Sequence, residues 1–259
     1  MSKRKILILA LSLCMVAILA VGGTLAYFTD DEQARNVMTI GNVEINIDEF
    51  QKNEDGEWEP FNNGDFTLYP IENAQGVKYR NKIAYTANVS DSEDDAYIRT
   101  IVLFEKNTEL PDDYKNEGDT ASERCCLPGL HFNYFADASA TSVANQKNIH
   151  GAKVTDLDLV VNYNGAAYHV FLFEEVSGLA VPYDHALFSL NGVFMDKGVS
   201  SEQIKGWGDN GVDIIVYSQA IQATGLDYAT AMKELGEINE TNLKTWLDAA
   251  EIATINDWN

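Results

Sequence analysis

Residues 156–163, DLDLVVNY, alternate polar and apolar positions, so that Leu157, Leu159, Val161 and Tyr163 share one face. A period of two marks a half-buried β-strand. Asn164-Gly165 follows, and AAYHVFLFEE (166–175) continues beyond it. Asn-Gly supplies the positive φ angles of a two-residue hairpin turn, so an antiparallel hairpin is expected. Asn191-Gly192 repeats the arrangement between LFSL and VFMD, which predicts a second hairpin. Asn63-Gly64 and Asn210-Gly211 bring such turn signals to four. Further strand candidates are VEINI (43–47), DFTLY (65–69), KIAYTANV (82–89), AYIRTIVLF (96–104) and VDIIVYSQAI (212–221). Strands so spaced, with turns between them, suggest a mainly β chain folded as an antiparallel sandwich or jelly roll.

The pattern changes in three places. Residues 107–153 are rich in Asn, Asp, Ser and Gly and read as a long loop insertion with little regular structure. Residues 226–252 turn helical. Leu226, Ala229, Met232 and Leu235 recur every three residues before Gly236, and Leu243, Trp246, Leu247 and Ala250 follow the i, i+3, i+4, i+7 template. These helices are expected to pack on the sandwich. At the start, Lys3, Arg4 and Lys5 precede 16 uncharged residues, Ile6 to Val21, and then Thr24-Leu25-Ala26. A basic cluster, an apolar run and a small-x-small site describe a secretory leader over 1–26, cut between Ala26 and Tyr27. The rival reading is an uncleaved anchor, for which the run falls short of the about 20 apolar residues that a span requires. The domain then occupies 27–259.

Charge narrows the partners. The chain carries 18 basic and 40 acidic residues, and loss of Lys3, Arg4 and Lys5 with the leader leaves a net charge near −25. Such a surface repels nucleic acid and anionic headgroups, so no nucleic-acid partner is expected, and membrane contact is confined to the leader. Cys125 and Cys126 are the cysteines that remain after residue 26, and they are adjacent. Neighbours bridge only through a strained small ring, so no disulfide framework staples the fold, and free or vicinally bridged thiols stay open. The four histidines are His131, His150, His169 and His185. None forms H-E-x-x-H, and no nucleophile elbow or phosphate loop occurs. His169 reads as a half-exposed strand residue. No catalytic residue, metal ligand or cofactor is expected.

GGTLAYFTDDEQARNVMTIGNVEINI resembles the N-terminal region of the TasA/camelysin family, whose members are exported with SipW-type signal peptides. The residues that carry the likeness are Gly23, Thr24, Ala26, Tyr27, Phe28, Asp30, Asn36, Ile40 and Gly41. EDDAYIRTIV (93–102) and SQAIQATGLDYATAM (218–232) resemble two later family blocks, in the same order. The chain departs where Ile71, not Gly, follows Pro70, and the family offers no counterpart to 107–153 or to the second helix. The resemblance implies a jelly-roll sandwich outside a Gram-positive cell. It also implies a fibre-forming protein of the biofilm matrix or cell surface, with a SipW-type signal peptidase, its own copies and other matrix proteins as partners. A camelysin-like metallopeptidase and an adhesion module are the alternatives. Within this reading residues 27–41 form an assembly arm. Its apolar positions Tyr27, Phe28, Val37, Met38 and Ile40 are candidates to join the open sheet edge of a neighbour.

Overall fold

The computed structural model describes residues 37–40, 43–52, 58–61, 70–71, 83–90, 93–106, 130–134, 148–196 and 213–250. Its strands are β1 (Val37–Ile40), β2 (Ile45–Lys52), β3 (Trp58–Pro60), β4 (Pro70–Ile71), β5 (Ile83–Asn88), β6 (Ala96–Lys106), β7 (Leu130–Asn133), β8 (Ile149–His150), β9 (Ala152–Tyr163), β10 (Ala166–Glu175), β11 (Ala186–Leu190), β12 (Gly192–Asp196) and β13 (Ile214–Gln222). Two helices close the order, α1 (Tyr228–Glu234) and α2 (Glu240–Ala249). One sheet runs β1-β13-β6-β10-β9, a second β3-β2-β5-β11-β8, and a three-stranded sheet β4-β12-β7. The protein is mainly β, and most strand pairs are antiparallel.

The β9–β10 hairpin forms where the alternation predicts it. Tyr163 faces Ala166, while Asn164 and Gly165 take φ angles of 49° and 87°. Along β6 the side chains divide by parity. Ala96, Ile98, Val102 and Phe104 enter the largest core cluster with Ile45, Ile47, Ala84, Leu187 and Val216, which come from both five-stranded sheets. Ile101 and Leu103 point the other way, where Leu243 and Leu247 of α2 cover them. The first sheet is therefore buried on both faces, by the second sheet and by the helices. This explains why β6 and β13 read as near-continuous apolar runs.

Both helices carry their boundaries in the sequence. Asp227 and Asn239 accept from the backbone N–H groups of Thr230 and Asn242, satisfying donors that the first turn leaves free. Gly236, at φ 86°, ends the first helix by taking a conformation that costs other residues strain. Leu226 lies ahead of that helix and packs against its base with Tyr97 and Met232.

Three expectations are corrected. Asn191-Gly192 is not a hairpin turn: β11 pairs with β5 and β8, whereas β12 pairs with β4 and β7. Neither residue adopts a positive φ, so the chain bends from one sheet into another without folding back. Residues 107–153 are not all irregular. They supply β7, β8 and the start of β9, and Phe132 is fully buried between Phe104, Phe171 and Phe173. The polar composition of that stretch hides a four-residue strand, because pairing with β12 and contact with three rings outweigh local propensity. Finally, the expected arm is not all free for a neighbour's sheet, since Val37–Ile40 forms β1 on the chain's own sheet ahead of VEINI. The leader 1–26, DFTLY, Asn63-Gly64, Asn210-Gly211, Cys125 and Cys126 lie outside the described residues.

Candidate assembly edge

Strand β13 offers its two sides to different partners. On one side it pairs antiparallel with β6 over nine positions, Ile214↔Phe104 to Gln222↔Ala96. On the other it pairs in parallel with β1, over Val37↔Ser218, Met38↔Gln219, Thr39↔Ala220 and Ile40↔Ile221. Of the arm residues expected from the sequence, Val37, Met38 and Ile40 thus lie in a strand on the chain's own sheet, while Tyr27 and Phe28, like the expected cleavage site at Ala26, lie outside the described residues. Ser218 to Ile221 would form a sheet edge if β1 left, and such an edge is a row of open donors and acceptors.

Side chains on both faces hold those four β13 residues in place. Inward, Ser218 Oγ lies 2.6 Å from Thr86 Oγ1 and 2.9 Å from Thr100 Oγ1, and the two threonine hydroxyls are 3.0 Å apart. All three residues are fully buried, so this hydroxyl triangle ties β5 of one sheet to β6 and β13 of the other. Outward, Gln219 accepts from Arg99 Nε at 2.8 Å and donates to the Tyr217 hydroxyl at 3.1 Å. Arg99 is 3% exposed; it donates from Nη2 to the Leu235 carbonyl at 2.8 Å and stacks 5.5 Å over Trp246. Burial pushes its pKa down to about 10. This arginine belongs to the AYIR block, and here it locks both C-terminal helices onto β13. Ile221 packs against Ala231 of α1 and against Leu235, which caps that helix. Tyr228 of the same helix bonds Glu174 of β10. Strand β13 is therefore held on both faces by contacts within its own chain.

The other edges of the two large sheets are blunted. Strand β9 carries a register shift, Asp158 at φ 51° and the charges of Lys153 and Asp156 along its length. Strand β3 is three residues long and ends in Pro60, and β8 has two residues. Short strands, proline, bulges and charge are the usual devices against edge-to-edge pairing. The β1 position is short too, but its neighbour β13 is long, regular and apolar.

Two histidine clusters went unseen in the sequence. His169 is 5% exposed, not half-exposed, and its Nε2 lies 2.6 Å from Asp156 Oδ1 across the hairpin bulge. His150 Nε2 lies 3.0 Å from His185 Nδ1, and His150 Nδ1 lies 3.6 Å from Glu175 Oε1. Neither pair has helical spacing, because strand pairing and not the helix period brings them together. His131 sits in β7 opposite Phe194. Among the described residues no group of three or more His, Cys, Asp or Glu side chains is arranged to hold a metal ion, and no helix is long and apolar enough to cross a membrane. Comparison with protein-family models, curated proteins and solved structures yields no match to this chain.

Proposed function

We propose that this is a secreted structural protein that assembles into extracellular filaments of a biofilm matrix or cell surface by donation of its N-terminal strand. The parallel pairing of Val37–Ile40 with β13 carries the reading. It is four residues long, lies at the sheet edge and joins two strands far apart in sequence. Residues 41–42 separate β1 from Val43, which is already buried in the core, so β1 can leave while β2 stays. The same segment from a second copy satisfies the same backbone groups on β13. Each copy then gives a strand forward and receives one from behind. This contact is head-to-tail and need not close, so it propagates as a filament. A leader joined at Ala26 restrains the arm, and its removal frees Tyr27 and Phe28 to add contacts beyond β1. The jelly-roll connection and the likeness to TasA/camelysin proteins belong to this reading.

The test compares a chain that begins at Tyr27 with one that begins at Gly41. Both should give the same β-rich circular dichroism, and only the longer should form filaments under negative stain. A synthetic peptide of residues 27–40 should bind the shorter chain and should slow growth of the longer one. Filaments of equal yield from the two chains refute strand donation.

A further inference from the structure

Beyond assembly, we propose that His150 and His185 are the protein ligands of a surface site for a divalent d-block cation of the zinc class. Three strand ends build the site. His150 closes β8, His185 immediately precedes β11, and Glu175 ends β10. Pairing of Ala186 with Ile149 sets the two imidazoles side by side. The backbone of His185 is fixed twice, since its N–H donates to the Pro182 carbonyl at 3.1 Å and its carbonyl accepts from Asn88 at 2.9 Å.

The facing nitrogens, His150 Nε2 and His185 Nδ1, are 3.0 Å apart. Zinc binds imidazole at about 2.0–2.1 Å, so two such bonds at a tetrahedral angle hold their nitrogens about 3.4 Å apart. The rings need open by only a few tenths of an ångström. His150 is also oriented as a metal ligand is. Its second nitrogen faces the Glu175 carboxylate, which is 5% exposed. That carboxylate is itself held by the Ser177 and Leu179 amides, at 2.7 and 2.8 Å on Oε2. At 3.6 Å that carboxylate stands just beyond hydrogen-bond reach of Nδ1, on the side where the carboxylate behind a metal-bound histidine sits. Glu175 is thus a positioning residue and not a ligand. Water fills the remaining coordination positions.

The charges around the pair favour a cation. Asp184 and Asp95 place negative charge near His185. Among the described residues those two carboxylates and Glu175 bring negative charge to the pair, from the turn before β11, from the approach to β6 and from β10. A cation between neutral rings replaces the hydrogen bond that they share at 3.0 Å. It also clamps β8, which comes from the polar 107–153 stretch, to the β10–β11 connection.

The experiment is calorimetric titration of the full purified chain with zinc chloride, in parallel with thermal melts. A single saturable site and a higher melting temperature with zinc are expected at pH 7.5. His150→Gln and His185→Gln should each weaken binding at least about 10-fold, and Glu175→Gln should weaken it by about 10–100-fold. Calcium and magnesium should not compete, because hard cations prefer oxygen ligands. Binding should fade below about pH 6, as protons claim the imidazoles. No binding at millimolar zinc overturns the proposal. So does binding that the three variants leave unchanged, or that calcium displaces, since either result assigns the ion to dispersed surface carboxylates. Should a histidine variant unfold, zinc-induced shifts of the wild-type imidazole resonances decide, and their absence overturns the proposal.

Discussion

Phe132→Ala should be among the most damaging single changes in the described core. The side chain is fully buried. Its ring stacks on Phe104 at 4.9 Å between centroids and meets Phe171 and Phe173 at 5.2 and 6.1 Å. Truncation removes the transfer free energy of a ring and leaves a cavity. The three surrounding rings belong to β6 and β10, paired with each other over eight positions, so the walls cannot collapse inward without moving the sheet. Phe→Ala in such a site costs about 3–5 kcal/mol. That is a large part of the roughly 5–15 kcal/mol that holds a domain folded. At roughly 2–4 °C per kcal/mol for a chain of this size, the melting temperature should fall by about 6–20 °C. Urea unfolding followed by circular dichroism gives the free energy, with an unchanged slope showing that the unfolded state is not altered. Leu179, which is 60% exposed, is the control, and Leu179→Ala should stay within about 0.5 kcal/mol of the parent. Phe104→Ala combined with Phe132→Ala should cost less than the sum of the two, because the rings touch. A loss below about 1 kcal/mol for Phe132→Ala would falsify the placement of β7 in the core, and with it the claim that the 107–153 stretch contributes to that core.

The hydroxyl triangle makes a different prediction. Ser218→Ala should cost about 1 kcal/mol, but the further change of Thr86 and Thr100 to Val should cost little more or restore stability, because no polar group is then left buried and unpaired. Additive losses across the three positions, measured by urea unfolding, would show that the hydroxyls do not act as one unit. Asp48 should tie stability to pH. Burial raises its carboxyl pKa above 3.8, and bonds from Tyr85 and Asn46 offset part of the rise. The folded state therefore keeps the proton longer than the unfolded state, so this contribution favours folding in acid, is fully present below the unfolded value and is lost as pH climbs from there through the raised folded value. Asp48→Asn should melt above the parent at pH 7 and level with it at pH 3, and a variant that melts lower at pH 7 contradicts this sign.

Local pattern was enough for the β9–β10 hairpin, the long central strands and both helices. Each rests on contacts within a few residues: positive φ at Asn164 and Gly165, caps at Asp227 and Asn239, a stop at Gly236. The same local signal misled at Asn191-Gly192, because whether the chain folds back depends on which sheets already have room for β11 and β12. It also missed β1 and β7. Four residues bury too little by themselves to stand out from polar surroundings, and they become strands only when β13 or β12 offers a ladder. The histidine clusters were illegible for a related reason. His150 and His185 are 35 positions apart, and only the parallel β8–β11 pairing sets their nitrogens 3.0 Å from each other. Sequence alone determined which segments prefer to be strand or helix, since that preference is written in neighbouring residues. Tertiary structure decided which strand pairs with which, and so which edge β1 occupies and which polar side chains meet, because those choices depend on burial shared between distant parts of the chain.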